Sequence, residues 1–237
     1  MKIKQKHLDF NEYTRSGIKL SRLNGIVIHF TDSATGSLWR EFYWLYRFLN
    51  ENRPAAKKHA SYHYAIDVEG STYELIPPDE CAWHAGPSGN TASWVEKRLG
   101  GKPNWSTLGV SYLHLKPDGK PTDLTRESLV ELCADLLNRF NIDYSNIFRH
   151  YDCVGKNCPR FYVAHEDEWE ALCKDIRTRA AVKAGLVENV GEVEETEDEE
   201  TVKTEDVAPE KNIHEGFAEV IGKIGRLIKR LIKRWSR

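Results

Sequence analysis

The chain has 237 residues, a formal net charge of −2, 40% hydrophobic and 30% charged residues. That length fits one sizeable domain with appendages, and the ordinary apolar and charged fractions exclude a fibrous or wholly disordered polypeptide. No apolar run approaches ~20 residues, so no bilayer-spanning helix is expected.

The first seven residues, Met1 to His7, are charged and no apolar core follows them. They do not read as a signal peptide, and a cytoplasmic protein is expected. Residues 1–23 are polar, and Tyr13, Ile18 and Leu20 are candidates to cover an edge of the domain. Asn24-Gly25-Ile26-Val27-Ile28-His29-Phe30-Thr31 reads as a buried strand, a short β-branched run opened by a turn dipeptide. His29 stands at its C-terminal end. Functional side chains tend to project there in α/β sheets, although a lone strand histidine is about as often a satisfied core residue.

Ser37 can cap a helix reaching to about Glu51, with Leu38, Phe42, Leu45, Tyr46 and Leu49 at helical spacing. Residues 62–76 read as a hairpin turning at Glu69-Gly70-Ser71. Residues 107–115 read as a strand, followed by a turn at Lys116-Pro117-Asp118-Gly119-Lys120. Thr125 with Ser128 opens a helix through Leu129, Leu132, Cys133, Leu136, Leu137 and Phe140. A last domain helix is expected from about Val163 to Ala184, with Trp169, Leu172, Cys173 and Ile176 inward. Strands alternating with helices predict an α/β fold with a mixed central β-sheet flanked by helices.

The most chemically loaded stretch is Arg149 to Pro159, which gathers His150, Lys156 and Cys158 just after a β-rich run. Glycine and proline break any long helix there, so these side chains are expected to converge through an irregular loop. A neutral imidazole and a thiolate suit Zn²⁺, and a neighbouring lysine suits an anion. Two ligands do not complete a site, and His29 is the candidate third. Cys153 competes with Cys158 on local chemistry alone. Cys133 and Cys173 fall in helical patterns and read as buried small hydrophobes; no disulfide framework is expected of the five cysteines.

Five stretches occur in an order that resembles the zinc N-acetylmuramoyl-L-alanine amidases, a family that includes phage lysozyme-type amidases and peptidoglycan recognition proteins. They are the Ile28-His29 strand, Ser61-Tyr62-His63-Tyr64-Ala65-Ile66 with Glu69-Gly70, Ala82-Trp83-His84-Ala85-Gly86, Asn104-Trp105-Ser106-Thr107-Leu108-Gly109-Val110, and His150 to Pro159. The resemblance covers roughly residues 20–175, about one domain. It implies a catalytic Zn²⁺ on His29, His150 and Cys158, with an activated water cleaving the amide bond between N-acetylmuramic acid and L-alanine in peptidoglycan. It favours Cys158 over Cys153. It implies that Tyr62 orients or deprotonates the water and that Lys156 stabilises the oxyanion. Without it, a core strand aromatic is the lesser alternative for Tyr62, whereas a solvated loop lysine is the commoner reading of Lys156. Trp83, His84 and Asn104 are the implied substrate contacts, and His63 is expected to be structural. Many relatives carry a glutamate two positions past Gly109, where this chain has Ser111.

Three regions follow from charge. Residues 1–187 form the expected catalytic domain and are close to neutral. Residues 188–210 carry roughly ten net negative charges, with almost no apolar content, and read as a disordered linker. Residues 211–237 carry roughly six net positive charges. There Ile213, Phe217, Val220, Ile224, Leu227, Ile228, Leu231 and Trp235 recur at helical spacing opposite Lys and Arg. That pattern is a basic amphipathic helix, suited to an anionic membrane or lipopolysaccharide, with docking or self-association as the alternative. The whole reads as a phage endolysin held in the host cytoplasm until release to the cell wall, with no nucleic-acid partner. Two other classes remain open: a peptidoglycan-binding module without hydrolysis, and a membrane-active protein working through its tail.

Overall fold

A computed structural model describes residues 1–31, 34, 36, 59–86 and 91–186. The expected helix from Ser37, the acidic linker and the basic C-terminal helix lie outside the described residues.

Six strands form one sheet: β1 (Ile3–Gln5), β2 (Gly25–Phe30), β3 (Tyr64–Ile66), β4 (Thr72–Glu74), β5 (Thr107–Tyr112) and β6 (Ile147–Arg149), in the order β1-β4-β3-β5-β2-β6. Within this sheet, among the described residues, the β3–β4 hairpin is antiparallel and the other strand pairings are parallel. The sheet is therefore mixed, as the alternation of elements predicts. β2 lies between β5 and β6, which explains why Ile26, Val27 and Ile28 form a continuous apolar run rather than an alternating one.

Five α-helices and a 3₁₀ turn (Pro103–Trp105) complete the described chain: α1 (Ser93–Leu99), α2 (Asp123–Arg139), α3 (His150–Val154), α4 (Arg160–Ala164) and α5 (Glu166–Lys183). Alternation along the strands sends Ile26, Ile28, Tyr64, Ile66, Leu108, Val110 and Tyr112 toward one face. There they pack with Leu129, Leu132, Cys133 and Leu136 of α2, and with Trp169, Leu172, Cys173 and Ile176 of α5. Full burial of each large apolar side chain contributes about 1.5–3 kcal/mol, which makes this layer the main source of stability. Among the described residues, the opposite face carries two smaller clusters. Val27 and Phe148 pack on Val95 and Leu99 of α1 and on Cys153 of α3. His29 alternates onto this second face, on the side away from α2 and α5.

Four local features differ from the sequence expectations. β1 is a strand, added parallel to β4 at the sheet edge; its polar sequence hid it because an edge strand buries little. α2 starts at Asp123, because Thr122 rather than Thr125 caps it: the Thr122 side chain accepts from the Thr125 backbone N–H. The helix expected from Val163 is divided at His165 into α4 and α5.

The fourth difference bears on the site. The segment after β6 is not wholly irregular. His150 to Val154 make a short helix, closed by Gly155 in the left-handed conformation at φ 72°. Glycine here ends a helix instead of preventing one, and Cys153 sits on it rather than in a loop. Arg149 anchors the junction: its guanidinium bonds Asp152 at 2.9 Å, Glu166 at 2.6 Å and the Tyr162 carbonyl at 3.0 Å. Burying that charge is tolerable because two carboxylates and a carbonyl satisfy it.

Candidate metal centre

His29 comes from the end of β2 and His150 from the first residue of α3, directly after β6. Cys158 comes from the return segment, where the Tyr151 N–H donates to the Cys158 carbonyl at 2.9 Å. Because β2 and β6 are parallel neighbours, with Ile28 opposite Arg149, the two histidines emerge side by side. Their Nδ1 atoms are 3.1 Å apart, and Cys158 Sγ is 3.8 Å from His29 Nδ1. Among the described residues, His29, His150 and Cys158 are the one set of three or more His, Cys, Asp or Glu side chains placed to share a metal. Their donor atoms all lie within 4.8 Å of one another.

The set fits zinc. Tetrahedral coordination with Zn–N ~2.0–2.1 Å and Zn–S ~2.3 Å places two ligand nitrogens about 3.3 Å apart and a nitrogen and a sulfur about 3.6 Å apart. The observed spacings lie close to both. Two imidazoles and a thiol also match the ion's borderline-soft preference, and three ligands leave a fourth position open.

Electrostatics favour bare imidazole nitrogens. Burial, then the neighbouring His150, His84 and Lys156, hold the His29 pKa well below its ordinary value. Burial and Lys156 bring His150 down to about 4. Both rings are therefore neutral at neutral pH and available as ligands. Cys153 is placed otherwise. Its thiol is buried in the apolar cluster with Val27 and Phe148, and desolvation, with Asp152 beside it, pushes its pKa up to about 12.

A cleft of about 370 Å³ opens over these three residues. Tyr62, Trp83, His84, Ser111 and Lys156 line it, together with Phe30, Ser61, Asn157 and Arg160. Ser111 is opposite His29 in the β2–β5 register and opposite Ala65 in the β3–β5 register, so it sits in the floor. Among the described residues, no carboxylate lines the cleft.

Most of the residues expected at the site converge there: His29, Tyr62, Trp83, His84, His150, Lys156 and Cys158 all line the cleft. Asn104 does not. Its Oδ1 accepts from the backbone N–H groups of His84 and Ala85 at 3.1 and 2.7 Å, and its Nδ2 donates to the Gly86 carbonyl at 3.1 Å. Those bonds hold the His84 loop and leave little of the amide for a substrate. His63 is fully buried. It accepts from the Gly109 N–H at 2.9 Å and donates to the Glu80 carbonyl at 2.8 Å, a structural position. Sequence reasoning passed over Thr107 and Gly109 as functional residues, although both lie inside the Asn104–Val110 stretch. Arg160 was passed over too; its place directly after Pro159 was the available signal.

The family model for N-acetylmuramoyl-L-alanine amidase matches residues 19–161. The chain belongs to that amidase family. It is 30% identical over 179 residues to N-acetylmuramoyl-L-alanine amidase CwlL of Bacillus licheniformis, covering 74% of this chain and 47% of that protein. A probable N-acetylmuramoyl-L-alanine amidase of the same species is 31% identical over 179 residues, with the same coverage. This chain thus spans about half the length of the curated relatives it matches. Among solved structures, that of PlyL superposes with a TM-score of 0.58 at 22% identity, covering 74% of this chain and 97% of that one. A mutant endolysin from Bacillus subtilis gives 0.55 at 22% identity, covering 74% and 98%. These likenesses establish the amidase fold for the described domain.

Proposed function

We propose that this amidase-family chain is a zinc-dependent N-acetylmuramoyl-L-alanine amidase that lyses cell walls as an endolysin. The observation that carries the reading is the convergence of His29, His150 and Cys158 in one cleft with Tyr62 and Lys156. The bond broken is the amide between the lactyl group of N-acetylmuramic acid and the nitrogen of L-alanine. Water adds its hydroxyl to the carbonyl carbon and a proton to the departing amine.

A zinc ion held there would supply Lewis acidity, polarising the carbonyl and lowering the pKa of a water. His29 and His150 each present a bare nitrogen, and Cys158 presents sulfur. Lys156 brings the positive charge that an oxyanion needs in a partly desolvated cleft. With no carboxylate lining the cleft among the described residues, the Tyr62 hydroxyl is assigned to orient the attacking water and handle its proton. Trp83 is assigned to the sugar-peptide wall of the cleft.

Digestion of purified sacculi followed by mass spectrometry tests this reading. Free L-alanine amino termini are expected. Binding with every glycan–peptide amide intact would make the protein a recognition module, and dye leakage without cleavage would make it a membrane agent.

Residues 211–237 are assigned to an anionic membrane or lipopolysaccharide surface, on the strength of their apolar stripe and basic face alone. Production in the host cytoplasm before release belongs to the same proposal. Truncation near residue 187 should preserve digestion of purified peptidoglycan and lower binding to anionic vesicles. Equal vesicle binding by both forms would remove the membrane role.

A further inference from the structure

His84 is 6% exposed and His29 is 5% exposed, and their rings meet edge to face. His84 Nδ1 lies 3.1 Å from His29 Nε2. On its far side, His84 Nε2 lies 3.4 Å from Thr107 Oγ1, which itself lies 2.7 Å from the Pro103 carbonyl. The four groups form one continuous line from the backbone to the proposed metal ligand.

The direction of each hydrogen bond follows from the far end. A carbonyl can only accept, so Thr107 donates to Pro103. The Thr107 oxygen then accepts from His84 Nε2–H. With no carboxylate acting on it among the described residues, a His84 ring that donates from Nε2 to Thr107 holds its one proton there, so its Nδ1 is bare and accepts. His29 must therefore carry its proton on Nε2, which leaves Nδ1 bare and facing His150 Nδ1 and Cys158 Sγ.

We propose that His84 and Thr107 are positioning residues that fix the tautomer and ring orientation of His29 through this hydrogen-bonded line. Metal-ligating histidines are generally oriented by what their other ring nitrogen bonds. Here the partner is a second histidine, whose own tautomer is set by a threonine hydroxyl and a backbone carbonyl. The inference rests on the zinc reading for its purpose, but the tautomer itself is a property of the metal-free protein. His84 accordingly has a task beside the metal that does not require it to touch a substrate.

The test uses the full chain with His84→Leu, His84→Gln and Thr107→Val. Nitrogen NMR of ¹⁵N-histidine-labelled, metal-free protein reads the His29 tautomer, and competition with a chromophoric chelator reads zinc affinity. The wild type should carry the His29 proton on Nε2. His84→Leu should mix the two tautomers and weaken zinc by about 10–100-fold. His84→Gln, whose amide oxygen can accept and whose NH₂ can donate, should recover most of that loss. Thr107→Val should shift the tautomers in the same direction with a smaller loss of zinc. A wild-type His29 protonated on Nδ1 would overturn the inference, as would unchanged tautomer and zinc affinity in a folded His84→Leu. If His84→Leu does not fold, Thr107→Val decides by the same two readings. A wild type that holds the Nε2 proton yet binds no zinc would sink the metal reading and leave the hydrogen-bonded line standing.

Discussion

The ring of His84 rests directly on the backbone of Gly109: a Cβ at position 109 would stand 2.7 Å from His84 Cγ. Cγ is the root of the ring rather than a flexible tip, so the imidazole could not move aside without leaving its partners. Gly109 is thus required by close approach, and its backbone also exchanges hydrogen bonds with His63, giving N–H to Nδ1 and receiving N–H at its carbonyl.

Gly109→Ala should therefore destabilise the domain by about 1–3 kcal/mol, the usual cost of overpacking a filled interior. Chemical denaturation of the metal-free protein measures it. A variant as stable as wild type would mean that the His84 loop is free to retreat, contrary to the three hydrogen bonds that Asn104 makes to it.

The two loop-proximal thiols should separate cleanly under metal analysis. Cys158→Ala should lose bound zinc, because it removes one of three ligands. Cys153→Ala should keep zinc. It should instead lose about 1 kcal/mol of stability through the cavity left among Val27, Leu99 and Phe148. Full zinc content in Cys158→Ala, with loss in Cys153→Ala, would reverse the assignment.

The buried histidines make stability depend on pH in a definite direction. His150 and His63 are each brought down to about 4, and His29 and His84 are held well below their ordinary value, in every case first by burial. Above about pH 6.5 the rings are neutral in folded and unfolded chains alike, and this contribution to stability is intact. Between about 6.5 and 4 the unfolded chain takes up protons first, so stability falls as pH falls. His150 alone should account for about 3 kcal/mol across that window. Denaturation of the chelated protein at several pH values should show the decline, with a shallower slope in His150→Gln. A flat profile between 6.5 and 4 would show that the rings are more solvated than their burial indicates.

How much of this was legible in the sequence depends on the range of the interactions. β2 announced itself through a β-branched run buried on both faces, and α2 through its 3.6-residue periodicity. His29, His150 and Cys158 were legible as ligand types at element ends. The choice of Cys158 over Cys153 needed either the resemblance or the fold, since both thiols follow His150 in the same short segment. β1 was hidden because an edge strand can be polar. α3 was hidden because Gly155 signals a helix stop as readily as a loop. The link from His84 to His29 joins residues 55 positions apart, and no local pattern encodes it. Asn104 was readable as a motif residue, but its use in holding the His84 loop appears only when both loops are in place.

Tyr62 and Lys156 carry the chemistry proposed beyond the metal ligands, and neither belongs to the three-residue ligand set. Tyr62→Phe removes one hydroxyl and keeps the ring that packs with Leu75, Ile76 and Ala82. Lys156→Ala removes an exposed side chain from the segment between α3 and Cys158. Both variants should fold and retain zinc, and both should lose about 10²–10³ in turnover, the cost of removing one group that acts on developing charge. Muropeptide binding should change much less, because these groups act mainly in the transition state. Turnover measured on defined muropeptides, alongside zinc content and thermal denaturation, separates the cases. Near-wild-type turnover in Tyr62→Phe would assign the proton of the attacking water to another group, and near-wild-type turnover in Lys156→Ala would leave the oxyanion to the metal alone.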